Sequence, residues 1–339
     1  MERDDAGSLV PRRSVLLGAG VATGALLVAG SEVSSSVPAS GGGTKRITLY
    51  AERLPGDRIG YGLAPGKASV PGPTIELTEG QKAEVTLVNT TDQTISLYAH
   101  GVDFDIASDG TPLNNGTVAP GQQRTYTWRT HTPYRRRDGT WDGGSAGYWH
   151  YHDHAMGTPF GTDGIGKGLY GALVVRRRGD LRPDRQFVVV MNDGSLNNTS
   201  WPDSPTYEAR LGERVEWIAI GHGFQVHTFH VHGHRWSDTR TGYATNPSTP
   251  VIDTKTLLPG VSYGFQVRAG EHVGPGAWMY HCHVQFHADQ GMVGLFLVKN
   301  ADGSMPPGMD KHIEHMRAMP VTPMSGTHSD SGHATGQGH

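Results

Sequence analysis

Three short segments of this 339-residue chain set two histidines one residue apart: His152/His154, His230/His232 and His281/His283. On a β-strand, residues i and i+2 face the same side, so each pair aims two imidazoles into one volume. His100 stands where a fourth pair is expected, with Tyr98 in its partner's place, and His227 lies just upstream of His230. Of the 19 histidines, 14 fall between residues 100 and 287. One such pair is an ordinary feature of a hydrogen-bonded core. Three, at matching points of a repeated sequence, point to a metal, and imidazole-rich sets suit copper, zinc, iron or nickel.

The single cysteine narrows that choice. One Cys excludes an intrachain disulfide framework and a Cys-rich zinc module. Cys282 sits between His281 and His283, with His287 and Met292 in the next ten residues. A thiolate, two imidazoles and a long axial thioether form a mononuclear blue-copper set, with His227 as the second imidazole. If Cys282 points to one side of its strand, His281 and His283 point to the other. A mononuclear copper is then joined to a second metal cluster through about two residues of chain, the wiring that electron transfer between copper sites needs.

Strands must carry these residues, and the composition agrees. The 48 glycines and 21 prolines separate stretches of aromatic and β-branched residues, which reads as many short strands joined by turns. Alternation of period two at Ile47/Leu49/Ala51, Ala83/Val85/Leu87 and Val215/Trp217/Ala219 supports an all-β chain. The chain also repeats itself. Residues 147–154 match 276–283, residues 168–176 match 291–299, and residues 97–101 match 229–233, in constant order. The core therefore reads as a duplication, with one domain at 44–178 and another at 183–300, each a Greek-key sandwich or barrel.

The remaining features concern export and partners. Lys+Arg of 29 against Asp+Glu of 32 gives a net charge of −3, with no electrostatic footprint for nucleic acid. Residues 1–43 read as a signal and linker: Arg12 and Arg13 precede an apolar run, and Val37, Pro38 and Ala39 offer a cleavage site. The expectation is a secreted protein, exported through the twin-arginine pathway, with no stable membrane association once the signal is cleaved; an uncleaved anchor is the alternative. Residues 301–339 read as a flexible tail rich in Met, His and Gly, with the side chains to capture copper or simply a disordered terminus.

The four histidine segments resemble the four copper motifs of multicopper oxidases. Residues 45–300 are similar to the two-domain, or small, laccases of actinobacteria. The resemblance implies two cupredoxin domains in a homotrimer, with a trinuclear copper cluster between the first domain of one subunit and the second domain of the next. Carried over, the type 1 copper takes His227, Cys282, His287 and Met292. The type 3 pair takes His100, His152, His154, His232, His281 and His283, and the type 2 copper takes His230. Asp153 stands where Cys282 stands in the other repeat, so the first domain keeps only cluster ligands.

The implied reaction is laccase chemistry. Phenols or related aromatic donors are oxidised one electron at a time at the type 1 copper, near an exposed His287, and O₂ is reduced to water at the cluster. Asp109 and Asp253 match acidic positions assigned to proton delivery, with ordinary loop carboxylates as the alternative. His150 and His234 read as hydrogen-bond partners of the ligands. The departure is Tyr98, which replaces a type 2 imidazole: the alternatives are ligation through its phenolate, a water in the imidazole's place, or a weak or depleted type 2 copper; Phe104 replaces a tyrosine common in relatives. Competing readings are a copper-dependent metal oxidase, a copper nitrite reductase and a non-catalytic copper-binding protein. Nitrite reductases place the blue-copper Cys in the first domain, unlike Cys282, and storage needs no wired thiolate.

Overall fold

The computed structural model describes residues 43–321. The twin-arginine segment, the cleavage site and the tail histidines His328, His333 and His339 lie outside the described residues.

The first half contributes strands β1 (Lys45–Leu54), β2 (Arg58–Gly62), β3 (Gly72–Thr78), β4 (Lys82–Asn89), β5 (Tyr98–Ala99), β6 (Gln123–Arg129), β7 (Gly147–His152) and β8 (Tyr170–Arg176). They form two four-stranded sheets, in the orders β2-β1-β4-β6 and β3-β8-β7-β5. In β4 the alternation is strict: Ala83, Val85 and Leu87 are buried while Glu84 and Thr86 face outward, as a half-buried strand requires.

The second half repeats the plan. Its strands are β9 (Arg185–Asn192), β10 (Ser195–Leu196), β11 (Thr206–Arg210), β12 (Arg214–His222), β13 (His227–Val231), β14 (Thr254–Leu257), β15 (Ser262–Arg268), β16 (Gly276–Cys282) and β17 (Val293–Lys299). The sheets run β10-β9-β12-β15 and β11-β17-β16-β13-β14. The parallel pairing of β1 with β4 recurs as β9 with β12, and that of β3 with β8 recurs as β11 with β17. Equivalent strands share the same neighbours, so the sequence repeat is a structural duplication.

Each sandwich encloses its own core, one around Leu49, Val85, Tyr126 and Trp128, the other around Trp217, Phe229, Phe265 and Tyr280. A third cluster joins the halves: Tyr148, Tyr170, Ala172 and Val174 pack against Val188, Val190, Ile218 and Ile220. Strands β8 and β12 are thus buried on both faces, one toward their own sandwich and one toward the other half. Close approach is built in at Gly264, where a Cβ would fall 2.2 Å from the Tyr148 ring, and Ser262 Oγ donates to the Tyr148 carbonyl at 2.9 Å.

Beside that contact lies a buried ionic network. The Arg176 guanidinium reaches both Glu76 and Glu216. Glu216 also accepts from the Tyr148 hydroxyl at 2.7 Å, from Gln266 at 2.8 Å and from Gln186 at 2.7 Å. Burial pushes the Glu216 carboxyl up, but hydrogen bonds and charge from Arg176, with further hydrogen bonds from Gln186 and Tyr148, bring it below its ordinary value.

The segment expected to be a flexible tail departs from that expectation. Residues Met309–Arg317 form a helix, and Ile313 and Met316, three apart on one face, pack with Val321 over Trp201, Leu295 and Leu297. Two shorter α-helices lie at Thr162–Lys167, after β7, and at Gln285–Asp289, after β16. In chain order these are α1 (Thr162–Lys167), α2 (Gln285–Asp289) and α3 (Met309–Arg317).

Candidate metal centres

Three groups of donor atoms emerge, each with its members within 4.8 Å of one another: His227/Cys282/His287, His100/His150/His152 and His230/His232/His281. They are built on β5, β7, β13 and β16 and on the residues that follow those strands.

The first group joins β13, β16 and α2. Cys282 Sγ lies 3.8 Å from His227 Nδ1 and 3.5 Å from His287 Nδ1. The Thr228 amide donates to the sulfur at 3.4 Å. Backbone bonds from Cys282 N to Met292 O and from Met292 N to His287 O, both 3.0 Å, fix the returning loop. Cys282, His227 and Met292 are fully buried. His287 is only 6% exposed, which corrects the expectation of an exposed ring. Burial, then the charge of His287, lowers His227 to about 4, so its ring is neutral at physiological pH and free to bind a metal. Behind His227 opens a cavity of about 460 Å³, lined by Asp193, Phe224, Asn192 and Asn198 among others. Asp193 Oδ1 lies 3.8 Å from His227 Nε2.

The other two groups mirror each other. His100 Nε2 faces His152 Nε2 at 3.1 Å, and His232 Nε2 faces His281 Nε2 at 3.1 Å. Nδ1 of His152 donates to the Asp153 carbonyl at 2.7 Å, and Nδ1 of His281 to the Cys282 carbonyl at 2.8 Å. Those bonds fix the tautomer, so each Nε2 presents a lone pair to the group. His230 Nδ1 likewise donates to the Asp253 carbonyl at 2.8 Å. His230 pairs across strands with His281, and Phe229 with Cys282. The sulfur and the imidazoles therefore occupy opposite faces of β16, one peptide unit apart.

Among the other residues singled out, His154 lies beside His152, ring centroids 4.8 Å apart, and edge-on to Tyr98. His283 lies 5.2 Å from His230 and 5.4 Å from His281. Asp109 sits by the first-half group, where its charge acts on Tyr98 and His154. The exposed Asp253 sits by the second, its carboxylate 3.9 Å from His230 Nδ1. Half-buried Tyr98 packs edge-on against His100, Phe104 and His154. Burial, then the Asp109 charge, pushes its phenol up, so the hydroxyl keeps its proton near neutral pH.

His234 fits its expected supporting role, with Nδ1 donating to the His232 carbonyl at 2.9 Å and Nε2 accepting from the Gly270 amide at 2.9 Å. His150 does not. Expected as a hydrogen-bond partner, it is fully buried with neither ring nitrogen bonded, and it takes third place in the first-half group. His222, on β12, was not singled out from sequence; it is buried edge-on against His150. Its position at the end of a strand buried from residue 215 onward is the signal that marks it.

Asp153 shows what replaced the thiolate in the first half. Its carboxylate accepts from the Ser96 amide at 2.6 Å, from Ala155 at 3.1 Å and from Met156 at 2.7 Å. Ser96 is the counterpart of Thr228, so the amide that donates to sulfur in one half donates to a carboxylate in the other. Burial pushes the Asp153 carboxyl up to about 6, against those amide bonds.

The donor sets fit copper. They hold imidazole nitrogens and one thiolate with no carboxylate among them.

Comparison with known proteins agrees. Models of the multicopper oxidase family match residues 67–180 and 171–302. The chain is 32% identical over 279 residues to a probable nitrite reductase-hydroxylamine oxidoreductase fusion protein of Kuenenia stuttgartiensis, covering 74% of this chain and 30% of that one. It is 27% identical over 273 residues to ceruloplasmin of Rattus norvegicus, covering 67% and 23%. The chain thus spans less than a third of the length of these two relatives. Among solved structures it is similar to a multicopper oxidase (26% identity, TM-score 0.53, 76% of this chain and 88% of that one). It shares the fold of a blue copper oxidase from Nitrosomonas europaea (20% identity, TM-score 0.55, 82% and 96%). The fold is two cupredoxin-like domains.

Proposed function

Because this chain belongs to the multicopper oxidase family, we propose that it is an oxidase of the laccase type, taking electrons singly from phenols and related aromatic donors and delivering them to O₂. The observation that carries the reading is Cys282: its sulfur faces His227 and His287 while its neighbours His281 and His283 serve the opposite face of the same strand. Copper bound to these groups supplies one-electron oxidation at the thiolate set and four-electron reduction of O₂ to water at the histidine sets.

The chain's own residues divide the work. Thr228 N–H and the Met292 loop hold Cys282 in a dry, fully buried pocket, which excludes water from the sulfur. The Cys282–His281 peptide gives an unbroken covalent path between the two donor sets. The Asp193 carboxylate, in the cavity behind His227, is placed to receive the proton that a phenol loses on oxidation. A cavity of about 460 Å³ holds a small aromatic donor. Asp109 and Asp253 stand beside the two histidine sets, where the proton-delivery role implied by the resemblance would place them.

The reading includes a homotrimer in which the His100 group of one copy meets the His230 group of the next. Nitrite is the rival acceptor suggested by one relative's name. Two separate three-histidine groups, with Cys282 in the second half, favour O₂.

Copper-loaded protein should be blue, with an intense thiolate-to-copper band near about 600 nm. Cys282→Ser should abolish the colour and phenol oxidation together. A colourless, copper-replete wild type would sink the assignment.

A further inference from the structure

Asp193 is held more firmly than the acceptance of a proton requires. With Gly194 it forms the two-residue turn that joins β9 to β10, where Asn192 pairs with Ser195. Both turn residues have positive φ, 26° and 82°, as a tight hairpin turn of the favoured twist demands. Asp193 Oδ1 accepts from the Phe224 and Gln225 amides, both at 3.0 Å, and Oδ2 accepts from the Phe224 amide at 2.8 Å. A Cβ on Gly223 would fall 2.2 Å from Oδ2, so glycine is what lets that loop close on the carboxylate. The loop leads directly into His227.

The clamped carboxylate is aimed at the thiolate set. Cys282 Sγ faces Nδ1 of His227 at 3.8 Å and Nδ1 of His287 at 3.5 Å, and the two rings are tilted by 52° rather than stacked. A metal on Nδ1 leaves the ring proton on Nε2. Nε2 of His227 is buried without a hydrogen-bond partner, and Asp193 Oδ1 lies 3.8 Å from it. That is too long for a hydrogen bond but well within the reach of charge. The same carboxylate acts on His287. Among the described residues, Asp193 meets the two amides and the His227 ring, and no lysine or arginine pairs with it.

The duplication isolates the feature. Counting along β1 and β9 from the pairs Lys45–Ala83 and Arg185–Val215, Asp193 corresponds to Arg53. Arg53 reaches the surface carboxylates of Asp92 and Asp57, in the half where Asp153 stands in place of the thiolate. The position is acidic in the half that carries Cys282.

We propose that Asp193 is a positioning residue that sets the reduction potential of the thiolate site, its fixed negative charge acting through His227 to favour the oxidised metal and hold the potential down. The inference rests on the copper oxidase reading and is separate from the acceptance of a phenol's proton. A carboxylate beside a ligand imidazole makes that ring a stronger donor, and a nearby negative charge stabilises the higher of two oxidation states. A low potential in turn confines the donors to electron-rich phenols, those with methoxy or amino substituents, because only they give up an electron to a mild oxidant.

The test is a redox titration of the blue band in copper-loaded wild type and Asp193→Asn. Asparagine keeps an Oδ1 to accept both amides and removes the charge. The variant should stay blue, with reduction favoured about tenfold more, a rise of about 59 mV for one electron. The difference should shrink as salt is added, since Asp193 is partly exposed and its field is screened; a purely structural role has no such salt dependence. If Asp193→Asn is colourless, Asp193→Ser is read in its place by the same criterion, and if both are colourless the residue is structural and the proposal falls. A blue variant with the wild-type potential also overturns it, even where phenol oxidation is lost, since that loss belongs to the proton alone. A wild type that is never blue overturns the copper oxidase reading instead, so the two failures are distinct.

Discussion

At Tyr98 the mirror relation between the two histidine groups breaks, and with it the supply of imidazoles for one copper. Copper(II) binds a neutral imidazole readily, but a phenol with pKa near about 10 must first lose its proton. Burial and Asp109 both push the Tyr98 phenol up, so the structure works against phenolate ligation. The copper that leans on His230 should therefore be held weakly. Wild type should contain fewer than four coppers per chain, or a fourth that dialyses away, with slow reoxidation by O₂ and ordinary reduction by donor. Tyr98→His should restore the fourth copper and speed O₂ turnover, read by metal analysis and stopped-flow. Four tightly held coppers in wild type, unchanged by Tyr98→His, would contradict this.

The Cys282 group is legible in the sequence because its chemistry is local: Cys282, His287 and Met292 share one strand end and the loop after it. His227 is more distant in sequence, but the register of β13 with β16 brings it there. His150 was misread for a geometric reason. Sequence places it on the face of His152, but only the packed sandwich shows that nothing hydrogen-bonds it.

Among the elements, β8 and β12 carry the most structural consequence. The period-two reading found one face of β12, at Val215, Trp217 and Ala219, but continuous burial hid the second face of both strands, at Ile218 and Ile220 and at Ala172 and Val174. Leu173 and Val175 face the first core while Ala172 and Val174 face the other half. Helix α3 was missed because a polar, glycine-rich tail masks a short apolar stripe at Ile313 and Met316. The junction that β8 and β12 build is pinned by Arg176, buried with Glu76 and Glu216. Removing the cation leaves two buried carboxylates close together without the charge that lies between them, a loss of about 3–5 kcal/mol. Arg176→Met should lower unfolding stability by that order in urea titration while the native protein remains blue. A variant as stable as wild type would show that the network is dispensable.

For the whole molecule, the proposed homotrimer follows from where the two histidine groups lie. Each half carries three imidazoles, and the first-half group is met within its own chain by His222 of β12, not by the His230 group. A trimer that brings the two kinds of group together across subunits should sediment as one species. Its dissociation should cost O₂ reduction while the blue colour survives, because the Cys282 set lies within a single chain. A monomer with full oxidase activity would end that arrangement. Oxygen uptake by the purified, copper-loaded protein, followed with an electrode while a methoxyphenol is oxidised, is the most direct test of the oxidase itself. Four phenols should be oxidised for each O₂ consumed, with no hydrogen peroxide released. A blue, copper-replete protein that consumes no O₂ with the phenol, or returns the oxygen as peroxide, would contradict the proposed function.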